Sequence, residues 1–319
     1  MKYLLLAGNL LSGIGQVMAR YKLMLDQQGH ETTLLMYSDD PSTEKFDMGF
    51  AFLLPLPNMI HASELHLRNC ERVVRMTVCE TETVHENYAL FLRYKRMYVP
   101  SMFALNVLRR QFPEMKLELL RHWADRPSPT PSITPRPYTF YTIGNVADFR
   151  KNITTLVNTF VDCKFPNARL VLKATCKAEI KINAPNVIVI NGLLSEPQLN
   201  RVHDSCDCYV NCSHSEGVGM GCVEAAMRNK PVILSEYGGA AEYVHTPWVI
   251  PCSMAPVGRD EFLFKRDMMW GAPDQTVLKR HMHDCYYREI MNYDHTHTHD
   301  IMKELVSRSI WYFPKTIRV

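Results

Sequence analysis

The sequence predicts an α/β protein of two domains, each a doubly wound parallel sheet. Three observations predict it. A proline-rich break falls near the middle of the chain, short apolar runs alternate with helical patterns on both sides of it, and glycine-bearing loops stand where runs give way to helices.

The break is PSPTPSITPRP, residues 127–137, with five prolines. Proline fixes φ and restricts the residue before it, so this stretch reads as a stiff, extended connector. Before it, Tyr3–Ala7 is a continuous apolar run, as expected of a strand buried on both faces. The loop GNLLSGIG follows. Ile14, Val17, Met18, Tyr21 and Leu25 then recur at helical spacing, with Gly29 where a helix C-cap belongs. Glu31–Tyr37 completes a βαβ unit with the usual right-handed crossover. Arg72–Val78 and Arg96–Val99 read as strands, and Pro100-Ser101 opens a helix through Arg110.

After the break, strands are predicted over Tyr138–Ile143, Arg169–Lys173, Val187–Ile190, Tyr209–Cys212 and Pro231–Leu234. Helices are predicted around Ile153–Phe160, Glu196–Ser205 and Gly221–Arg228, and residues 273–310 read as helices. The domains expected are 1–137, linker included, and 138–300, with 301–319 as a helix or tail returning to the first domain.

The 319 residues are 46% hydrophobic and 22% charged, enough to bury a sizeable core, and the net charge of +3 argues against a nucleic-acid partner. The apolar run of MKYLLLAGN is too short for a signal peptide or a membrane span, so the expected location is cytoplasmic. Ten cysteines without a CxxC pair read as reduced, buried small hydrophobes. His295, His297 and His299 lack an arranged carboxylate or cysteine partner, and Cys206, Cys208 and Cys212 lie along one strand, so no metal site is assigned.

The segment richest in chemistry is HSEGVGMGCVEAAMRNKPVILSEYGGAAEYV, residues 214–244. It sets Glu216 on a loop after a strand, then Gly217, Val218, Gly219 and Gly221, then Glu224 about one turn into a helix. Such a layout opens backbone N–H groups to a polar ligand, and two carboxylates across a tight turn can face one cleft. Upstream, YTIGNVADFRKNITTLVNTF, residues 141–160, places Arg150 and Lys151 at the start of a helix.

These segments resemble the retaining glycosyltransferases of the GT-B fold, in the large family usually numbered four. Its E-x7-E signature, commonly SEGFGLPVLEAMACGKPVI, is matched by SEGVGMGCVEAAMRNKPVI. The resemblance implies a GT-B architecture, two Rossmann-like domains facing each other across a cleft that closes on the donor. It implies that Glu216 lies near the transferred sugar, that Glu224 binds the ribose hydroxyls, and that Arg150 and Lys151 bind the donor diphosphate. Two fixed cations suit a leaving diphosphate on which negative charge grows. Many relatives carry Arg directly after the glycine where this chain has Asn145, so diphosphate binding rests on Arg150 and Lys151. VIVINGLLSEPQL resembles the stretch that receives the nucleobase, making Gly192 and Leu193 donor-binding candidates. Ser235, Gly238, Gly239 and Glu242 match a further motif without a clear role. SGIGQVMARYKLMLDQQGHETTLL resembles the Gly-rich first loop and helix, so Gly13 and Gly15 would approach the donor phosphate or the acceptor. Glu80 and Glu82 are acceptor-side candidates, and His85 and His122 are candidates for the family's histidine in this region.

The expected reaction is metal- and cofactor-independent transfer of a sugar from a UDP- or GDP-linked donor to a hydroxyl acceptor, with retention. A glycan, a lipid-linked molecule or a protein could supply the hydroxyl. RYKRMY and VLRRQF, basic and apolar together, are compatible with a membrane-surface acceptor and equally with solvated helices. Two alternatives stand: a non-catalytic nucleotide-sugar-binding subunit, and an NAD-dependent oxidoreductase using the Gly13–Gly15 loop with Asp39 or Asp40 on the ribose.

Overall fold

Leu4, Leu5 and Leu6 are wholly withdrawn from solvent in β1 (Lys2–Ala7), which is why that run shows no polar alternation. The computed structural model describes residues 1–8, 12–122, 124, 136–176 and 178–304. Packing divides the chain into one unit of Met1–Arg121 with Val257–Met268, and another of His122–Pro256 with Met269 onward.

In the first unit Ser12 caps α1 (Gly13–Gln27), its Oγ accepting from the Gly15 amide at 3.1 Å. β2 (Glu31–Met36), β3 (Phe46–Phe52), α2 (Pro57–Leu67), β4 (Cys70–Met76), β5 (Met97–Val99), α3 (Met102–Gln111) and β6 (Leu117–Leu119) follow. All strand pairs are parallel, in the order β2-β1-β3-β4-β5-β6. Sequence reading leaves β3 and α2 unassigned, because a long apolar stretch with Pro55 and Pro57 has neither period. Pairing with β1 makes Phe46–Phe52 a strand.

The second unit contains β7 (Tyr138–Gly144), α4 (Ile153–Cys163), β8 (Ala168–Ala174), β9 (Val187–Ile190), α5 (Glu196–Asp204), β10 (Cys208–Asn211), α6 (Met220–Ala226), β11 (Val232–Ser235) and β12 (Val249–Ile250). Its sheet runs β12-β11-β10-β7-β8-β9, again all parallel. The order reverses between β7 and β10, whose carboxyl ends are Gly144 and Asn211. Crossover connections leave in opposite directions there, so a crevice opens at those ends. Phe140, Phe160 and Phe165 pack together beneath it. Of the predicted linker, Arg136 and Pro137 are described. Arg136 clasps Asp207 through two bonds of 2.6 Å, and Asp207 also accepts from the Thr139 amide, tying the entry of β7 to that of β10.

The chain then forms an antiparallel hairpin, β13 (Cys252–Pro256) with β14 (Met269–Pro273), and α7 (Gln275–Tyr287). The helices expected over 273–310 are α7 and, with 305–310 outside the described residues, a separate helical segment, residues 296–304. Its histidines fasten it: His295 Nε2 lies 2.8 Å from the Lys230 carbonyl, and His299 Nε2 3.2 Å from that of Ala226. Of the expected 301–319 tail, 301–304 lie within the described residues. All ten cysteines are free, and Cys206, Cys208 and Cys212 are buried. Among the described residues no group of His, Cys, Asp or Glu converges to hold a metal, and no helix is long and apolar enough to cross a membrane. The basic stretches are partly neutralised: Arg93 pairs with Glu64, Arg96 with Glu118 and Arg110 with Glu82.

Candidate active site

Glu216 lies at the carboxyl ends of β7 and β10, on the loop after β10, and is 7% exposed. Its Oε1 accepts from Lys151 Nζ at 2.6 Å, Ser213 Oγ at 2.8 Å and Asn211 Nδ2 at 3.2 Å, while Oε2 accepts from Arg150 Nη1 at 3.2 Å. Arg150 and Lys151 arrive on a one-turn 3-10 helix, Phe149–Lys151, between β7 and α4. Asp148 starts that turn by accepting from the Arg150 amide, and also binds Arg150 Nη2 at 3.1 Å. Arg150 Nη1 further donates to the Ser215 carbonyl at 2.6 Å. The guanidinium therefore fixes the Glu216 loop as well as its charge.

Burial alone pushes the Glu216 carboxyl upward. The Lys151 ammonium, the Arg150 guanidinium and the bonds from Lys151 and Ser213 outweigh it and hold the group at about 2, against an ordinary 4.5. The folded protein thus binds fewer protons here than the unfolded chain. The stability from this group is fully present above pH 4.5 and is lost as pH falls toward 2. At 1.36 kcal/mol per unit, the shift is worth about 3 kcal/mol, of which about 2 kcal/mol is gone by pH 3. Urea midpoints at pH 5 and pH 3 are expected to fall further for wild type than for Glu216→Gln. Equal losses would show that Glu216 does not carry this linkage.

Two cations with one internal carboxylate can hold an anion. Arg150 is committed to Ser215, Asp148 and Glu216, whereas Lys151, its side chain 20% exposed, gives one of its three ammonium protons to Glu216. Asn145 occupies an exposed turn, where its Oδ1 accepts from the Ala147 amide at 3.3 Å.

The remaining candidates are distributed as follows. Gly217, Val218 and Gly219 are buried beside Glu216 and lead into α6, where Gly219 takes φ of 68°. Glu224 lies on α6, its side chain 15% exposed and its Oε2 3.4 Å from His203 Nε2. Gly192, with φ of 78°, and the exposed Leu193 follow β9. Gly13 and Gly15 form the first turn of α1 in the other unit, and residues 9–11 of their loop lie outside the described residues. Glu80 and Glu82 follow β4 in that unit, with Glu82 bound to Arg110 at 2.6 Å. His85 caps the 3-10 helix Glu86–Arg93 through its Nδ1, and His122 is buried.

The structure gives Gly238 and Gly239 the role that their motif lacked, and adds Trp270 and Lys173, which sequence reasoning missed. Gly238 and Gly239 buttress the Glu216 loop: the Gly239 amide donates to the Glu216 carbonyl at 2.7 Å. A Cβ on Gly238 would lie 2.6 Å from that same oxygen. Trp270 of β14 stacks on His214 at 4.5 Å, two residues from Glu216. Lys173 is 2% exposed at the end of β8 and donates to the carbonyls of Ala174 and Gly192, the latter at 2.7 Å. A lysine inside the apolar run ARLVLKA was the available signal.

Residues 132–246, spanning both candidate segments, match the family model for glycosyl transferases group 1. With two six-stranded parallel sheets, the chain is an α/β protein of GT-B architecture with two Rossmann-like domains. Among solved structures, sucrose-phosphate synthase from Thermosynechococcus elongatus matches at a TM-score of 0.65 and 12% identity over 99% of both chains. A trehalose-6-phosphate structure from E. coli bound with UDP-2-fluoro glucose matches at 0.59 and 8%, over 96% of both. WaaG, a glycosyltransferase involved in lipopolysaccharide biosynthesis, matches at 0.58 and 13%, over 98% of this chain and 95% of its own. At such identities the likeness is one of fold. No curated protein sequence matches the chain.

Proposed function

We propose that the chain transfers a sugar from a UDP- or GDP-linked donor to a hydroxyl acceptor with retention of configuration and without metal or other cofactor. The observation that carries this reading is the Glu216 carboxylate, held ionised between Arg150 and Lys151 at the strand-order reversal. The group 1 match over the same segment and the UDP-sugar bound in the E. coli structure support it.

In this reading Lys151 turns its remaining protons to the donor diphosphate and offsets the charge that grows as the bond to the anomeric carbon breaks. Arg150 keeps Glu216 in place beside the transferred sugar. The acceptor oxygen bonds to the anomeric carbon on the face the diphosphate leaves, and its proton passes to the departing phosphate oxygen. Glu224 takes the ribose, and Gly192 and Leu193 flank the base. In this reading the N-terminal domain, with Glu80 and Glu82, serves the acceptor side, Gly13 and Gly15 are assigned to donor binding, and the C-terminal domain serves the donor side. The acceptor's chemical class, and whether it lies at a membrane surface, belong to that first domain.

The test is thermal stabilisation and slow hydrolysis with UDP-, GDP-, ADP- and TDP-sugars, with and without EDTA. One nucleotide family is expected to raise Tm by several degrees at saturation in wild type and not in Glu224→Ala, with turnover unaffected by EDTA. Stabilisation without turnover would favour a nucleotide-sugar-binding subunit. Stabilisation by NAD alone would overturn the reading.

A further inference from the structure

Lys173 stands next to last in β8, 2% exposed, and the reading above gives it no part. The parallel register sets it beside Ile190, the last residue of β9. Its ammonium reaches past the carboxyl end of β9 and donates to the Gly192 carbonyl at 2.7 Å, and also to the carbonyl of Ala174. Among the described residues no carboxylate pairs with it, and burial pushes the ammonium below the usual lysine range. A buried cation held by carbonyls alone is costly to the fold, which directs attention to the turn that it holds.

That turn is fixed from two sides. The Asn191 side chain bonds the amide and the carbonyl of Ile180, both at 2.9 Å, and Lys173 takes the carbonyl of the next residue. Gly192 has φ of 78°, which L side chains rarely adopt, and a Cβ on it would meet nothing within 4 Å. The space beside its Cα is therefore open. The peptide joining Gly192 to Leu193 is planar and trans, so its C=O and N–H point in opposite directions. With the carbonyl drawn to Lys173, the Leu193 N–H is turned the other way, and no described residue accepts from it. The Leu193 side chain beside it is 63% exposed.

We propose that Lys173 is a positioning residue for the nucleobase, orienting the Gly192–Leu193 peptide so that the Leu193 amide donates to uracil O4 or guanine O6 and rejects cytosine and adenine. This deepens the proposed function and rests on its placing of the base beside Gly192 and Leu193. Uracil and guanine carry a keto acceptor where cytosine and adenine carry an amino donor. An amino group facing the amide leaves two donors opposed, and a site built around a hydrogen bond discriminates strongly against a ligand that cannot make it. Lys173 touches no base and acts through the peptide.

Calorimetric titration with UDP, CDP, GDP, ADP and inorganic pyrophosphate tests this. Wild type is expected to bind UDP about tenfold tighter than CDP, or GDP about tenfold tighter than ADP, according to the ring size it takes. Lys173→Met keeps an unbranched stem and removes the donor. It is expected to erase most of that preference and to leave pyrophosphate binding unchanged, because the base alone depends on the oriented peptide. Leu193→Pro deletes the amide N–H where it bonds nothing within the fold. It is expected to erase the preference too, and carries the test if Lys173→Met does not fold.

Equal losses for every nucleotide in Lys173→Met would make the lysine merely structural and overturn the inference, as would a preference that survives either variant. A wild type that binds CDP as well as UDP, and ADP as well as GDP, would overturn it while the donor reading stands. A wild type that binds no nucleotide would overturn the donor reading beneath it.

Discussion

Arg150→Met is expected to lower the free energy of unfolding by about 3–5 kcal/mol, the cost of leaving a buried carboxylate without its partner. Glu216 is 7% exposed and Arg150 8%, so water cannot replace the guanidinium at Oε2. The bond to the Ser215 carbonyl is lost as well. Lys151 still faces Oε1, which sets the expected loss nearer the lower figure. Urea denaturation would show the drop as a lower midpoint at an unchanged slope. The double variant Arg150→Met with Glu216→Gln is expected to recover much of the stability, because the uncompensated charge has gone, while sugar transfer stays lost. A single variant losing less than about 1 kcal/mol would show that the pair is worth no more than an exposed one.

Gly238→Ala is expected to cost about 3 kcal/mol and most of the transfer activity. The position has φ of 96°, where a side chain is strained by about 1–3 kcal/mol. The new Cβ would also lie 2.6 Å from the Glu216 carbonyl oxygen and 2.9 Å from its amide nitrogen. Both are backbone atoms, so relief requires moving the Glu216 loop, with overpacking of about 1–3 kcal/mol. The measurements are the melting temperature and the transfer rate. A variant that keeps both would mean that the 238–239 turn does not set Glu216.

The halves of the fold differ in how far they could be read. Strand Val187–Ile190 and the Ser101-capped helix were legible because a period or a cap is local chemistry. Phe46–Phe52 and the Cys252–Pro273 hairpin were not, since their strands are defined by partners distant in sequence. In the candidate site, Glu216, Glu224, Arg150 and Lys151 carried a spacing that could be recognised. That Arg150 and Lys151 close on the same carboxylate could not be, because 65 residues separate Lys151 from Glu216. Gly238 and Gly239 showed a pattern without a reason until their turn was seen against the Glu216 backbone.

By itself, the sequence determined the alternation of strands and helices, the proline-rich break and the order of the charged residues along the chain. Those follow from side-chain period and backbone preference, which act over a few residues. Only the tertiary structure decided which charges neutralise one another. It leaves Lys151 with protons to give, commits Arg150 to the Glu216 loop and ties Lys173 to the Gly192 carbonyl. Electrostatics in a buried site depends on distance in space and on exclusion of water, and the order of residues along a chain specifies neither until the parallel sheet brings the ends of β7 and β10 side by side.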